Sequence, residues 1–206
     1  MVVIDQVARP EETSVDAGER IVDATLRCIA RWGLAKTTLD DVAREARCSR
    51  ATVYRAFPGG KDSLVCSVVA VEVERLAAGL RRTLAEHAGD LEDLLVAGIV
   101  HTARWLTAHD ALRFMLAHEP ELILPRVAFH QMNQVLEVAC AIVGPALAPH
   151  VGADGAGRAA EWVARLVFSY TLSPSDAVDV CDEDSVRVLV RDFVLPGLTH
   201  RATATR

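Results

Sequence analysis

The sequence predicts an all-α fold of about nine helices, with a small N-terminal unit followed by a larger C-terminal bundle. Apolar residues recur at spacings of three and four along most of the 206 residues. No stretch of useful length alternates apolar and polar residues as a half-buried strand does. A hydrophobic content of 51% is enough for a real core and argues against disorder.

The first 60 residues predict a loose arm followed by three short helices. Residues 1–16 are polar, and we expect them to form the arm. Apolar residues at helical spacing from Gly18 to Trp32 predict the first helix, and Gly33 ends it. The predicted three-helix unit therefore spans residues 17–60.

Two helix-start signals lie close together after Gly33. Thr38 has N-cap chemistry, and Asp41 three residues later completes a pair resembling a capping box. Ser49 is the next N-cap, after a short turn at residues 47–48, and the third helix ends at residues 58–60. Two short helices joined by a tight turn form a helix-turn-helix, whose second helix enters the major groove of DNA.

The distribution of charge agrees with this motif. The net charge is −6, which argues against a general nucleic-acid coat protein. Between Arg44 and Lys61, however, the chain has five basic residues and one acid. A mixed, solvated helix face is the alternative explanation of such a cluster.

The second helix of the motif carries the predicted DNA contacts. The guanidinium fork of Arg50 can pair with guanine, and Thr52 and Tyr54 can reach phosphate oxygens or a thymine methyl group. Backbone N–H groups at the two helix starts can bind phosphate, as can the basic side chains. Tyr54 as a core aromatic and Arg47 as a solvated side chain are the alternatives. The predicted contacts are Thr38, Arg47, Ser49, Arg50, Thr52, Tyr54, Arg55 and Lys61.

The segment from Arg20 to about Leu64 resembles the DNA-binding domain of the TetR/AcrR family of bacterial transcriptional regulators. The matching stretches are IVDATLRCIARWG, LAKTT, LDDVAREA and SRATVYRAF, followed by Lys61, Asp62 and Leu64. The resemblance implies a homodimeric repressor that a small effector releases from a palindromic operator. The chain departs from the family pattern in two places: Arg47 stands where Gly is frequent, and the Pro-Gly-Gly-Lys link is one residue longer.

Residues 61–206 are predicted to form the ligand-binding and dimerisation domain. The expected helices are 64–87, 91–107, 111–118, 127–143, 159–172 and 184–195, with loops at 144–157 and 174–182.

An effector pocket is expected among the helices from Leu64 to Val143. Its predicted lining is mainly apolar, which suits an elongated apolar ligand with one polar head, such as a fatty acid or an acyl thioester. A plain helical core has the same composition, so that alternative stays open. The predicted pocket residues are His101, Trp105, Phe114, Met115, His118 and Phe129.

Dimerisation is predicted because one recognition helix covers too few base pairs, whereas a two-fold dimer places two of them along the DNA. Apolar stripes on the last two long helices are the expected interface, and the alternative is that they serve only the internal core. The predicted interface residues are Trp162, Leu166, Tyr170, Val186, Leu189 and Phe193.

Other classes of protein find little support in the sequence. No Gly-rich phosphate loop, GxSxG or HExxH occurs, so we do not expect an enzyme. His118, Glu119 and His130 match no metal-ligand spacing, and neither a metal nor another cofactor is expected. Five Cys residues without a CxxC favour reduced thiols in the cytoplasm. No stretch approaches eighteen consecutive apolar residues, so no membrane span is expected. A helical lipid carrier or interaction module with a vestigial helix-turn-helix is the alternative function.

Overall fold

The computed structural model describes residues 10–122 and 132–202, and these residues form ten α-helices and no β-strand. The all-α prediction is therefore confirmed. The helices number ten because a π-helical turn, Val190–Val194, divides the last one. They are α1 Pro10–Lys36, α2 Leu39–Glu45, α3 Arg50–Ala56, α4 Gly60–Glu86, α5 Leu91–Ala108, α6 Asp110–His118, α7 Met132–Val151, α8 Ala153–Leu172, α9 Glu183–Leu189 and α10 Leu195–Ala202.

The chain divides into two compact units. The first comprises the described residues up to Val73 together with Asp110–Pro120, and the second comprises Glu74–His109 and the described residues from Glu121 onward. The predicted boundary after residue 60 differs from this division. The beginning of α4 belongs to the first unit, and so does α6, because α6 packs against α1.

The core of the first unit locks α3 against α1. Val53 of α3 and Phe57, which caps the end of that helix, are buried together with Ile21 and Val22 of α1 and Val42 of α2. Because these apolar side chains occupy one face of each short helix, the opposite face of α3 is left to solvent. Tertiary burial, more than intrinsic propensity, therefore stabilises two helices of only seven residues each.

The second unit is built around α5. Leu94, Leu95 and Ile99 are fully buried and pack with α8 and with the end of the chain. A set of charges ties the start of α5 to α9, because Arg187 donates to Glu92 at 3.0 Å and to Asp93 at 2.6 Å.

Two predicted non-helical stretches are helical in the structure. The arm prediction is wrong for residues 10–16, because α1 begins at Pro10, and proline is well tolerated in a first helical turn. The loop prediction for residues 144–157 is also wrong, since α7 continues to Val151 and the break shrinks to Gly152. Leu147 is fully buried, so packing outweighs the cost of two prolines within α7.

The last helix also continues past its predicted stop at Pro196 and Gly197. The N–H of Leu195 donates to the carbonyl of Val190, five residues earlier, as in a π-helix. Pro196, which has no N–H to donate, comes directly after this widened turn. The helix therefore accommodates the proline by changing its hydrogen-bond pattern and not by ending.

Candidate nucleic-acid interface

The first helix start of the motif forms the predicted capping box. The Asp41 N–H donates to Thr38 Oγ1 at 3.2 Å, and the Thr38 N–H donates to Asp41 Oδ2 at 3.2 Å. The hydrogen bond from the Thr38 side chain, with the Arg44 charge, lowers the pKa of Asp41. Thr38 is thus confirmed as a cap. The backbone N–H of Thr38 already donates to Asp41, and a contact of Thr38 with phosphate stays a prediction.

The turn between α2 and α3 keeps a tight geometry without glycine. Arg47 is left-handed, with φ 54°, and its N–H donates to the Arg44 carbonyl at 3.2 Å. The N–H of Cys48 donates to the Ala43 carbonyl at 2.9 Å, which completes a Schellman motif. Arg47 therefore adopts the conformation that glycine usually supplies, and its side chain is exposed.

Helix α3 presents its predicted contacts on the side opposite the core. Ser49 caps it, because the Thr52 N–H donates to Ser49 Oγ at 3.1 Å. The Tyr54 side chain is 41% exposed, which excludes the core-aromatic alternative. Arg50 and Arg55 are also exposed, so the outer face of α3 is basic and carries hydroxyl groups.

Arg50 is held in place by neighbours on two helices. Its Nη1 donates to Asp40 Oδ2 of α2 at 3.2 Å, and its Nη2 donates to the Tyr54 hydroxyl at 3.3 Å. The Tyr54 hydrogen bond, followed by the charge of Asp40, raises the pKa of the Arg50 guanidinium. This arrangement orders a long side chain at the start of α3, the part of a recognition helix with which helix-turn-helix proteins contact base edges. Asp40 is a site residue that sequence reasoning missed, because only the fold brings it to Arg50.

The Lys61 side chain forms hydrogen bonds within the protein. Its Nζ donates to the Leu34 carbonyl at 2.6 Å and to the Ala35 carbonyl at 3.3 Å. An ammonium group has three N–H donors, so one remains for a phosphate. The structure therefore gives Lys61 a structural contact that the sequence did not reveal, because that contact depends on a kink at Gly33.

The predicted pocket residues are divided between the two units. His101 and Trp105 line a cleft of about 780 Å³ in the second unit, whose other lining side chains include Glu86, Arg104 and Arg187. Desolvation, with a smaller effect of Arg82, lowers the pKa of His101. Phe114, Met115 and His118 lie on α6 in the first unit. Phe129 lies outside the described residues.

The predicted interface residues divide into three pairs. Trp162 and Phe193 are 44% and 68% exposed and line one groove of about 710 Å³. Val186 and Leu189 are buried within the second unit, which leaves them little surface for a partner chain and corrects that part of the prediction. The other two, Leu166 and Tyr170, are partly buried against the same core.

Within residues 10–122 and 132–202, no group of three or more His, Cys, Asp or Glu side chains is placed to hold a metal ion. None of the described helices combines the length and apolar character that crossing a membrane requires.

Comparisons with known proteins agree with the geometry of the first unit. Residues 21–68 match the model of the bacterial regulatory proteins, tetR family. An uncharacterised HTH-type transcriptional regulator of Mycobacterium bovis is 30% identical over 166 residues, which cover 80% of this chain and 84% of that protein. One from Mycobacterium tuberculosis is 28% identical over 190 residues, covering 92% of this chain and 89% of that protein.

A solved structure shows the same fold along most of the chain. The TetR family repressor AlkX from Dietzia sp., implicated in biodegradation of n-alkanes, superposes with a TM-score of 0.64 and 22% identity, covering 87% of this chain and 95% of that one. The family consists of transcriptional regulators and not of enzymes. The chain is therefore a member of the TetR family, a helix-turn-helix transcriptional regulator.

Proposed function

We propose that this regulator represses transcription by binding a palindromic operator as a homodimer in the cytoplasm. The observation that carries the proposal is the outer face of α3, where Arg50 is ordered by Asp40 and Tyr54 at the helix start. On DNA, the guanidinium is expected to exchange the carboxylate for the O6 and N7 acceptors of guanine. Thr52, Tyr54 and Arg55 then contact phosphates or neighbouring bases.

The dimer is proposed to form through the exposed aromatic residues of the second unit. Trp162 lies on α8 and Phe193 on the π-helical turn, and both border the same groove. Large exposed apolar side chains that cluster in this way are typical of interfaces between proteins. Two copies joined there would bring two recognition helices to two half-sites of one operator.

The effector is proposed to be a small molecule that carries a polar or charged group. The cleft beside His101 and Trp105 combines aromatic surface with Arg104 and acidic side chains, so its lining supports a polar head more directly than the apolar lining predicted from the sequence. AlkX is implicated in n-alkane biodegradation, which supports an apolar remainder of the ligand. Effector binding is proposed to change the spacing of the two recognition helices through α4, which follows α3 in the chain.

The first test is selection of bound DNA from a random pool at two salt concentrations. We expect a palindrome with a fixed half-site spacing, and an affinity that falls steeply as salt rises. If the folded protein enriches no sequence, operator binding is contradicted. The alternative function, a helical lipid carrier or interaction module, is then favoured. An enriched sequence without two-fold symmetry contradicts the dimer.

A further inference from the structure

Residues 33–37, which end α1 beyond its kink and lead into α2, are held on two sides by charged side chains and are called the α1–α2 link. At Gly33, whose φ is 82°, the helical backbone is interrupted, and charged side chains bind the peptide groups of Leu34 and Ala35 that follow. Glu119, the residue that follows α6, accepts the N–H of Leu34 at 2.6 Å and that of Ala35 at 3.0 Å. Lys61 Nζ donates to the backbone carbonyls of the same two residues. The backbone hydrogen-bonding groups of these two residues are thereby bound by an acid and a base from distant parts of the sequence.

The Glu119 contact is strong because the carboxylate is removed from water. Glu119 is only 8% exposed, and a charged acceptor that binds two backbone N–H groups makes shorter and stronger bonds than a neutral one. Losing the acceptor would leave two donors poorly paired in a partly buried place, which is more costly than the bond itself is favourable. The ion pairs that join α1 to α2, Arg27 to Glu45 at 2.6 Å and Arg31 to Glu45 at 3.6 Å, are more exposed and contribute less.

Gly33 is fitted to the same carboxylate. A Cβ atom at this position would lie far inside van der Waals contact with Glu119 Oε1. The left-handed φ of Gly33 is also a conformation that other residues adopt at a cost. The kink, the glycine and the acid therefore depend on one another.

The α1–α2 link leads directly into the recognition motif. The buried Thr37 side chain donates to the Gly33 carbonyl at 2.6 Å, and Thr38 then caps α2. We propose that Glu119 is a positioning residue for DNA recognition: it holds the α1–α2 link, sets where α2 and α3 lie on α1, and makes no DNA contact itself. The inference rests on the proposed operator binding, but it concerns a residue outside the helix-turn-helix.

The test is Glu119→Gln in the full-length chain, with the selected operator as the probe. A glutamine offers one acceptor oxygen, and its NH₂ group faces an N–H, so one of the two bonds is lost. We expect operator affinity to fall about tenfold, with hydrogen exchange accelerated at the amides of Leu34 and Ala35. The slope of affinity against salt should not change, because no phosphate contact is removed. Glu121→Gln, an exposed acid two residues further on, is the matched control and should leave all three unchanged.

Gly33→Ala supplies a second route if Glu119→Gln does not fold, which circular dichroism would show. Its methyl group displaces the carboxylate, so operator affinity should fall and exchange at Leu34 and Ala35 should accelerate with Glu119 itself unchanged. Wild-type affinity in a folded Glu119→Gln or Gly33→Ala chain, or unchanged exchange at Leu34 and Ala35 in that chain, would each overturn the inference. A wild-type chain that enriches no DNA would instead refute the proposed function.

Discussion

Arg50 is the side chain on which sequence discrimination is expected to depend. Arg50→Ala should weaken operator binding by about 1–3 kcal/mol and relax the preference at one base position, because a bidentate base contact is lost. Arg55→Ala, in which an exposed arginine of the same helix is truncated, is the matched comparison and should weaken all sequences alike. Titration of both variants against an operator series with single-base changes measures the difference. A uniform loss for Arg50→Ala would make Arg50 a phosphate contact.

Substitution of Lys61 tests whether this residue acts through its contacts within the protein or through a contact with DNA phosphate. Its ammonium group already binds two backbone carbonyls, so Lys61→Met should lower operator affinity by loosening the α1–α2 link and leave the salt slope unchanged. Arg55→Ala should reduce that slope by about one unit. The slopes are measured by operator titration from low to moderate salt. A slope lowered equally by Lys61→Met would restore the phosphate contact predicted from the sequence.

Local chemistry was predictable at this scale, whereas long-range chemistry was not. The caps at Thr38 and Ser49 follow from residues three positions apart, and both form as predicted. The partner of Lys61 lies 27 residues away, and its carbonyls become available only through the kink at Gly33. No periodicity or spacing in the sequence reports such a contact.

Among the elements, the turn between α2 and α3 stores conformational strain. A non-glycine residue in the left-handed region costs about 1 kcal/mol, so Arg47→Gly should stabilise the first unit by roughly that amount. Arg44→Gly, within α2, is the opposite control and should destabilise it by about 1 kcal/mol. Urea unfolding of the two variants gives both values. A destabilised Arg47→Gly would show that the arginine side chain contributes more than the turn costs.

The contact of α4 with α5 should make stability depend on pH. His101 packs against Gly79, and its Nδ1 lies 3.1 Å from Thr83 Oγ1. Burial lowers the pKa of His101, so below the ordinary value of about 6.5 the unfolded chain binds a proton more readily than the folded chain. The free energy of unfolding should therefore fall between pH 7.5 and 5.5, and His101→Gln should reduce this dependence.

Urea unfolding at the two pH values measures the effect of His101. His87→Gln, which removes an exposed histidine just after α4, is the matched control. An identical pH dependence in the wild type and in His101→Gln would contradict the assignment.

The predicted ends of two helices are wrong at places where burial opposes the local helix propensity. Residues 144–151 contain Gly and two Pro and resemble a loop, yet the full burial of Leu147 keeps them helical. Near Pro196, a π-helical turn satisfies the backbone in a way that proline as a stop signal does not anticipate. Both errors come from tertiary packing, which a single sequence does not show.

For the whole molecule, the proposed dimer makes the most direct prediction. Phe193→Glu places a charge on the most exposed of the large apolar side chains in the described residues and should convert the dimer to a monomer with much weaker operator binding. Val69→Glu changes an exposed valine of α4 in the first unit and is the matched control. Analytical ultracentrifugation gives the mass of each variant. A Phe193→Glu chain that stays dimeric would move the interface elsewhere.

The order of helices along the chain did not reveal how they group. The predicted pocket combined residues of α5 and α6, but α6 packs against α1, so Phe114 and Met115 belong to the first unit. The all-α class and the helix-turn-helix were predictable because they depend on local periodicity. The grouping depends on which apolar faces meet, and similar faces occur on many of the helices.

The place of α6 also bears on how this regulator can be re-engineered. A chimaera that joins residues 17–60 to the effector domain of another regulator carries the recognition helix but not Glu119, the acid that holds the α1–α2 link. The portable DNA-reading module is therefore discontinuous, and a faithful exchange has to bring residues 110–120 along with the N-terminal segment.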